Sequence, residues 1–166
     1  VGNNLMDHLE VYVQQACSQP VSLYKHLSPW GKAKIGLQWL TTHTGLGATN
    51  HFEVGGFIRS KEEAPYPDVQ FHFLPAAMSY DGTNAAGCEG FQVHVGPMLS
   101  KSRGHVRIRS NNPDHAPEIR FNYMSHAEDW QVFRAAIRKA REIFDQSALK
   151  PYRGCELAPG ANHASD

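Results

Sequence analysis

Three chemically useful side chains, an imidazole, a carboxylate and a phenol, lie close together near the start of the chain. His8, Glu10 and Tyr12 alternate with apolar residues in the segment HLEVYV. Successive side chains of a β-strand point to opposite faces. A strand over residues 8–15 would therefore place all three on the face opposite its apolar side.

Further aromatic side chains are available to build a pocket on that face. His72 and His94 alternate with apolar residues in two later segments, and Trp30 and Trp39 lie nearby in sequence. Each residue alone has an ordinary explanation, because a strand histidine is often solvated and a tryptophan usually belongs to the core. Together they match a pocket in which aromatic ring faces and one carboxylate hold a quaternary ammonium group.

The motifs support other chemistries less well. The chain has ten histidines but lacks HExxH and any helical pairing of histidines with an acid, so we predict no metal site. The glycine-rich stretches TGLG and VGG lack the GxGxxG and GxxxxGK[ST] phosphate-binding patterns. The GxSxG motif of serine hydrolases is also missing.

Composition points to one soluble globular domain. Of the 166 residues, 41% are hydrophobic and 19% are charged. The 16 basic and 16 acidic residues balance, which argues against nucleic acid as a partner. Three cysteines without a CxxC pair favour a reducing, cytoplasmic compartment over a disulfide framework. The sequence shows neither a long apolar run nor a signal-peptide pattern, so we expect no transmembrane segment.

Segments in which apolar and polar residues alternate, with glycine or proline near their ends, predict a series of β-strands. Besides 8–15, this pattern predicts a short strand around Phe57 and Ile58 and four longer strands at 68–75, 90–99, 104–110 and 117–123.

The first predicted helix begins at Ser28, a favourable N-cap residue, with Pro29 at the first helical position. Its predicted apolar stripe consists of Ala33, Leu37 and Leu40.

The second predicted helix lies within 125–146. Ser125 and Glu128 have the spacing of a capping box, in which each side chain satisfies a free backbone N–H. Its predicted buried stripe consists of Trp130, Phe133, Ile137, Ala140 and Phe144. The chain beyond this helix thins into small and polar residues, which is typical of a frayed terminus or a linker.

The order of these elements predicts the fold class. Several strands follow one another, a long helix comes at the end, and there is no βαβ alternation. We therefore predict an α+β fold with an antiparallel or mixed sheet of about five or six strands and helices packed on one face.

Blocks along the whole chain resemble the choline-oxidising members of the glucose–methanol–choline (GMC) flavoprotein oxidoreductases. In order, they are VGNNLMDHLE, KIGLQWL, TGLGATNHFEVGGFIRS, VQFHFLP, SRGHVRIRSNNP, FNYMSHAEDWQVFRAAIRKAREI and YRGCELAPG. Their joint arrangement makes the resemblance much more specific than any single motif.

The resemblance implies an enzyme of two parts, an FAD-binding domain and a substrate-binding domain whose antiparallel sheet covers the flavin. This chain corresponds to the substrate-binding domain over residues 1–160, followed by a frayed tail at 161–166. It lacks the family's GxGxxG segment and stops before the segment that carries the catalytic histidine. We therefore expect no catalytic residue in it, no FAD binding by this chain alone, and no activity without the missing FAD-binding domain.

Carried over residue by residue, the resemblance assigns substrate contacts to four side chains. Glu10 would face the trimethylammonium head of the substrate, and His8 would line the same cavity. Trp30 would belong to the aromatic cage around that head. His72 would form a hydrogen bond with the substrate hydroxyl.

The implied cofactor is FAD, and Asn4 and Asp7 lie in a segment that the resemblance places near the flavin. The implied reaction oxidises choline to betaine aldehyde, toward glycine betaine, in an enzyme that is cytoplasmic or attached peripherally to a membrane. Two alternatives stay open, a GMC alcohol dehydrogenase for another alcohol and a stand-alone module that binds quaternary amines. Glu10 favours a cationic substrate, because an uncharged alcohol would leave its carboxylate unpaired.

Overall fold

The alternating segments form strands in a computed structural model, which describes residues 1–79, 86–160 and 163. The elements of this described part are β1 (Asn3–Leu5), β2 (Val11–Cys17), α1 (Pro29–Thr42), β3 (Val54–Ile58), β4 (Val69–Leu74), β5 (Gly90–Pro97), β6 (Gly104–Arg107), β7 (Glu118–Arg120), α2 (Ala127–Phe144) and β8 (Arg153–Ala158). Short 3₁₀ helices at Leu23–His26 and Leu46–Ala48 flank α1. Of the predicted tail 161–166, all residues except His163 lie outside the described part.

The strands belong to two antiparallel sheets. The larger has five strands in the order β3-β4-β5-β2-β8, and the smaller has three in the order β1-β6-β7. The predicted α+β class with an antiparallel sheet is confirmed, with the strands divided between the two sheets. The first alternating segment becomes a strand only from Val11, so His8 and Glu10 precede it.

One face of the larger sheet carries the hydrophobic core. Val13, Val93 and Phe73 lie directly opposite one another on β2, β5 and β4. The helix α2 covers this face, and the ring of Phe144 meets that of Phe91 edge-on at 5.2 Å. Burial of each large apolar side chain here contributes about 1.5–3 kcal/mol.

The opposite face of the larger sheet is polar and aromatic. The side chains of Gln92 and His94 alternate with the buried valines of β5 and so point away from α2. Across a cavity from this face lies α1, which contributes Lys32 and Ile35 to the cavity wall. The expectation of helices packed on one face therefore holds for α2, whereas α1 lies on the other side.

The start of α2 differs from the prediction. His126, not Ser125, is the N-cap, and its Nδ1 accepts the backbone N–H of Glu128 at 3.2 Å. Trp130 is 48% exposed, and Asp129 takes the buried position in the first turn. The helix thus begins one residue later than the capping box implied, and the predicted stripe is correct from Phe133 onward, with Phe133, Ala140 and Phe144 buried and Ile137 partly buried.

The predicted helix at α1 is confirmed, but its predicted apolar stripe is not buried. Ser28 caps the helix by accepting the backbone N–H of Gly31 at 3.1 Å. Leu37 and Leu40 are 64% and 68% exposed, and none of the fourteen residues of α1, all of them described, is buried. Periodicity identifies an apolar stripe but not whether another element of the chain covers it.

The segment that the sequence predicts to be a frayed terminus or linker contains β8, an edge strand of the larger sheet. It pairs with β2, for example through Gln15 and Glu156. The guanidinium of Arg141 on α2 donates two hydrogen bonds to the Glu156 carboxylate, at 2.8 and 3.0 Å. These hydrogen bonds lower the pKa of Glu156 despite its partial burial. A tertiary ion pair therefore anchors a strand whose residues show little apolar alternation.

A buried carboxylate joins the start of α2 to the loop after β5. Asp129 is 2% exposed and accepts hydrogen bonds from the hydroxyls of Ser100 and Ser102 and from the backbone N–H groups of Lys101 and Ser102. Burial opposes its charge, but these bonds outweigh burial and lower the pKa of Asp129 to about 2.

We expect Asp129→Asn to lower the free energy of unfolding by about 2 kcal/mol at neutral pH, because a carboxamide cannot accept all four bonds. The unfolded carboxyl binds a proton at a higher pH than the folded one. In the parent chain this contribution should therefore be complete above about pH 5 and disappear as the pH falls toward 2.

Urea denaturation at several pH values measures this effect. Glu128→Gln is the matched control, because it removes the same charge from the same turn of α2. Equal losses of stability in the two variants would contradict the assigned role of Asp129.

Candidate functional site

Three ring-bearing side chains form a row across the polar face of the larger sheet. Tyr12 on β2, His94 on β5 and His72 on β4 occupy directly opposed positions in neighbouring strands. Residues in such register lie side by side on one face of a sheet. The row thus brings together residues that are 22 to 82 positions apart in the chain.

Glu10 reaches this row because the chain before β2 passes close over β5. A Cβ atom added at Gly96 would lie 2.3 Å from the backbone oxygen of Leu9 and 3.2 Å from the Cα of Glu10, so only glycine permits this approach. The Nδ1 atom of His94 lies 2.8 Å from Oε1 of Glu10. The two side chains are 12% and 27% exposed, so water screens their hydrogen bond only partly.

A set of amide hydrogen bonds determines which nitrogen of His94 carries the proton. The side-chain oxygen of Gln92 accepts the backbone N–H of Met78 and the side-chain amide of Gln14, both at 2.8 Å. The amide nitrogen of Gln92 therefore faces Nε2 of His94, at 2.7 Å, and donates to it. Since Nε2 is an acceptor, Nδ1 carries the proton and donates to Glu10.

Two aromatic rings enclose the imidazole of His94. Tyr12 stacks on it with ring centroids 4.1 Å apart. Phe52 meets it edge-on at 5.5 Å and also meets the ring of His72 edge-on at 6.2 Å. Phe52 therefore lies against both histidines of the row.

A tight turn holds Phe52 in this place. The hydroxyl oxygen of Thr49 accepts the backbone N–H of His51, which has a left-handed φ of 66°, and Asn50 Oδ1 accepts the N–H of Phe52 at 3.1 Å. The Thr49 hydroxyl also donates to the carboxylate of Glu53, which lowers the pKa of Glu53.

A cavity of about 390 Å³ lies between the polar face and α1. Most of its surface is apolar, and His94 and Gln92 of β5 are among its polar lining residues. The other lining residues come from the sheet, from α1 and from the connecting segments: Tyr12, Leu23, His26, Leu27, Lys32, Ile35, Leu46, His51, Phe52, Leu74, Ala76, Met78 and Ser79. Such a cavity, mostly apolar with a few polar groups, is typical of a site for a small organic molecule.

Two of the predicted substrate residues contact or belong to the row, and two do not. Glu10 contacts it through His94, and His72 belongs to it through its register with His94. Neither is among the residues that line the cavity. His8 is exposed, and Trp30 in the first turn of α1 is 86% exposed. The aromatic ring that lies against the two histidines of the row is that of Phe52, which lies outside every predicted strand and helix.

The predicted flavin contacts lie at the junction between the two sheets. Asn4 is in β1 with a φ of 65°. The carboxylate of Asp7 accepts the Tyr123 hydroxyl and the backbone N–H of His8, and these hydrogen bonds lower the pKa of Asp7. Burial and the Asp7 carboxylate raise the pKa of Tyr123 to about 12. Asp7 thus ties the link between β1 and β2 to the segment after β7.

The described residues form neither a metal site nor a membrane-spanning helix. Within 1–79, 86–160 and 163, no three histidine, cysteine or acidic side chains are grouped so that they could hold a metal ion. None of the helices in that part of the chain has both the length and the apolar character needed to cross a bilayer.

Comparison with known proteins identifies relatives of the chain. A model of the family described as GMC oxidoreductase matches residues 100–166. The oxygen-dependent choline dehydrogenase of Brucella anthropi is 60% identical over all 166 residues, which span 30% of that relative's length.

Solved structures share the fold. A formate oxidase, 20% identical, superposes with a TM-score of 0.84 over 100% of this chain and 34% of its own. An FAD-dependent oxidoreductase from Chaetomium thermophilum, also 20% identical, superposes with a TM-score of 0.74 over 98% of this chain and 34% of its own.

We expect Gly96→Ala to displace Glu10 from His94, because the added methyl group collides with the backbone of Leu9. Long-range ¹H–¹⁵N spectra of ¹⁵N-histidine-labelled protein should then show the Nδ1–H proton signal of His94 shifted upfield, because it has lost its hydrogen bond to a carboxylate, while Gln92 still keeps Nε2 as the acceptor.

The matched control is Gly56→Ala in β3, where an added Cβ meets no atom within 4 Å. An unchanged His94 signal in the Gly96 variant would contradict the proposed close approach.

Proposed function

Because the chain belongs to the GMC oxidoreductase family, we propose that it is the substrate-binding domain of an FAD-dependent choline dehydrogenase, which converts choline into betaine aldehyde and so supplies glycine betaine synthesis. The observation that carries this proposal is 60% identity to such an enzyme over the entire chain. We further propose that the rest of the enzyme carries the flavin site and the catalytic histidine.

The site has the chemistry that a quaternary ammonium ion requires. Such an ion has no N–H donors, so a protein holds it by an opposite charge and by aromatic rings. Glu10 supplies a partly buried negative charge, and Phe52 supplies an aromatic ring beside the histidine that binds Glu10. The partial burial strengthens the attraction, because water screens a pair of charges less in such a place.

His72 is suitably placed for the hydroxyl end of the substrate. It lies opposite His94 on the neighbouring strand and shares the ring of Phe52 with it. Glu10 directly precedes β2, and β2 and β4 flank β5, so about two strand spacings, roughly 10 Å, separate the backbones at Glu10 and His72. The two side chains and a small molecule whose charged and hydroxyl ends are joined by a two-carbon link would together fill this gap. We propose that Glu10 binds the head and that His72 donates to or accepts from the hydroxyl.

The described residues do not fit the pyrophosphate of FAD. The stretch TGLG leads only into the three-residue 3₁₀ helix Leu46–Ala48, whose N-cap makes no side-chain hydrogen bond. We propose that the remaining part of the enzyme holds FAD, with Asn4, Asp7 and His8 near that boundary. When bound, the flavin would accept the hydride. The residues of this chain would bind the cation, orient the alcohol and exclude water.

In the full-length enzyme, we expect Glu10→Gln to raise KM for choline by about five- to a hundredfold, because about 1–3 kcal/mol of charge attraction is lost. The KM for the uncharged isostere 3,3-dimethylbutan-1-ol should rise much less, because this alcohol has no charge to pair with Glu10. Steady-state kinetics with both alcohols measures the difference.

Glu142→Gln is the control, because Glu142 forms an exposed ion pair with Lys139 on α2, away from the site. If Glu10→Gln raised KM equally for the two alcohols, this would argue against a cationic substrate and favour a GMC enzyme for another alcohol. Calorimetric titration of the isolated chain with choline tests the remaining alternative, since tight binding without the rest of the enzyme would indicate a stand-alone module.

A further inference from the structure

We propose that His94 is a positioning residue that holds the Glu10 carboxylate in place for a cationic substrate, and that Gln92 and Gln14 keep its imidazole in the form suited to this task. The inference rests on the proposed function. It goes beyond the proposed function by assigning roles to His94, Gln92 and Gln14 and by explaining how the Glu10 carboxylate is held without a positive charge beside it.

Glu10 needs an anchor, because no regular element fixes it. It lies in the segment between β1 and β2, one residue before β2 begins. His94, by contrast, lies inside β5, which has strands on both sides. The 2.8 Å hydrogen bond from His94 Nδ1 therefore transfers the rigidity of the sheet to the Glu10 carboxylate.

The donor to Glu10 is uncharged. Gln92 directs its amide N–H groups at Nε2 of His94, because its oxygen is already occupied by Met78 and Gln14. A second proton on the imidazole would place an N–H against that amide donor. Gln14 donates onward to the backbone oxygen of Met78 at 2.6 Å, so its own orientation is fixed as well.

This arrangement has an electrostatic consequence. A lysine or arginine in place of His94 would also orient Glu10, but its positive charge would cancel the carboxylate and repel the substrate cation. A neutral imidazole donor orients the carboxylate without placing a positive charge beside it. Stacking on Tyr12 and the edge contact with Phe52 keep the ring from turning away.

Two polar replacements at position 94 test this role in the full-length enzyme. In His94→Asn the side-chain amide occupies the place of Nδ1 and can still donate to Glu10. In His94→Gln the amide occupies the place of Nε2 and cannot. We expect His94→Gln to raise KM for choline about ten- to a hundredfold at nearly unchanged kcat, as for the loss of one charge-assisted hydrogen bond.

We expect the KM of His94→Asn for choline to stay within about threefold of the parent value, well below the tenfold change that corresponds to 1.4 kcal/mol. The competitive inhibition constant of tetramethylammonium should follow the same order, because this probe has the cationic head without the hydroxyl. The kinetic constants for 3,3-dimethylbutan-1-ol should hardly change in either variant.

His105→Gln is the matched control, because His105 forms the other described histidine–glutamate pair, at 3.4 Å from Glu118 in the smaller sheet. Equal effects of the two replacements at His94, or equal effects on charged and uncharged alcohols, would overturn the inference. If the parent enzyme does not oxidise choline, the proposed function fails. If Glu10→Gln is selective for choline and His94→Gln is not, only the inference about His94 fails.

Discussion

The site depends on the alternation of side chains along the central strand β5. Val93 and Val95 enter the core beneath α2, while Gln92 and His94, which alternate with them, point to the opposite face. A slip of one residue in the pairing with β2 or β4 would exchange these faces and bury the polar pair under the helix. The register that builds the core therefore also builds the binding site, and neither can change without the other.

On the polar face, contacts among residues of the protein itself do most of the positioning. Gly96 lets the chain cross closely enough for Glu10 to reach His94, and the two glutamines determine the tautomer of that histidine. Phe52 depends in turn on the turn formed by Thr49 and Asn50. Under the proposed function, a small change in any of these supporting residues should weaken binding of a cationic substrate by displacing Glu10, His94 or Phe52.

The supporting contacts nearer the edges of the fold are charged. Asp129 ties α2 to the loop after β5, and the Arg141–Glu156 pair ties α2 to the edge strand β8. Both carboxylates have lowered pKa values because hydrogen bonds to their charged forms outweigh burial. In the site, His94 likewise holds the partly buried carboxylate of Glu10 by a hydrogen bond of 2.8 Å.

The sequence by itself determined the α+β class, most of the strands and the long helix α2, because these follow from local periodicity and capping. It missed β8, since an ion pair between residues 15 positions apart, rather than apolar alternation, secures that strand. Only the tertiary structure decided that Glu10, which precedes β2, binds His94, 84 residues away, and that the ring of Phe52 lies against His94 while Trp30 is exposed. Local patterns specify which face a side chain occupies, whereas the register between distant strands specifies which side chains meet on it.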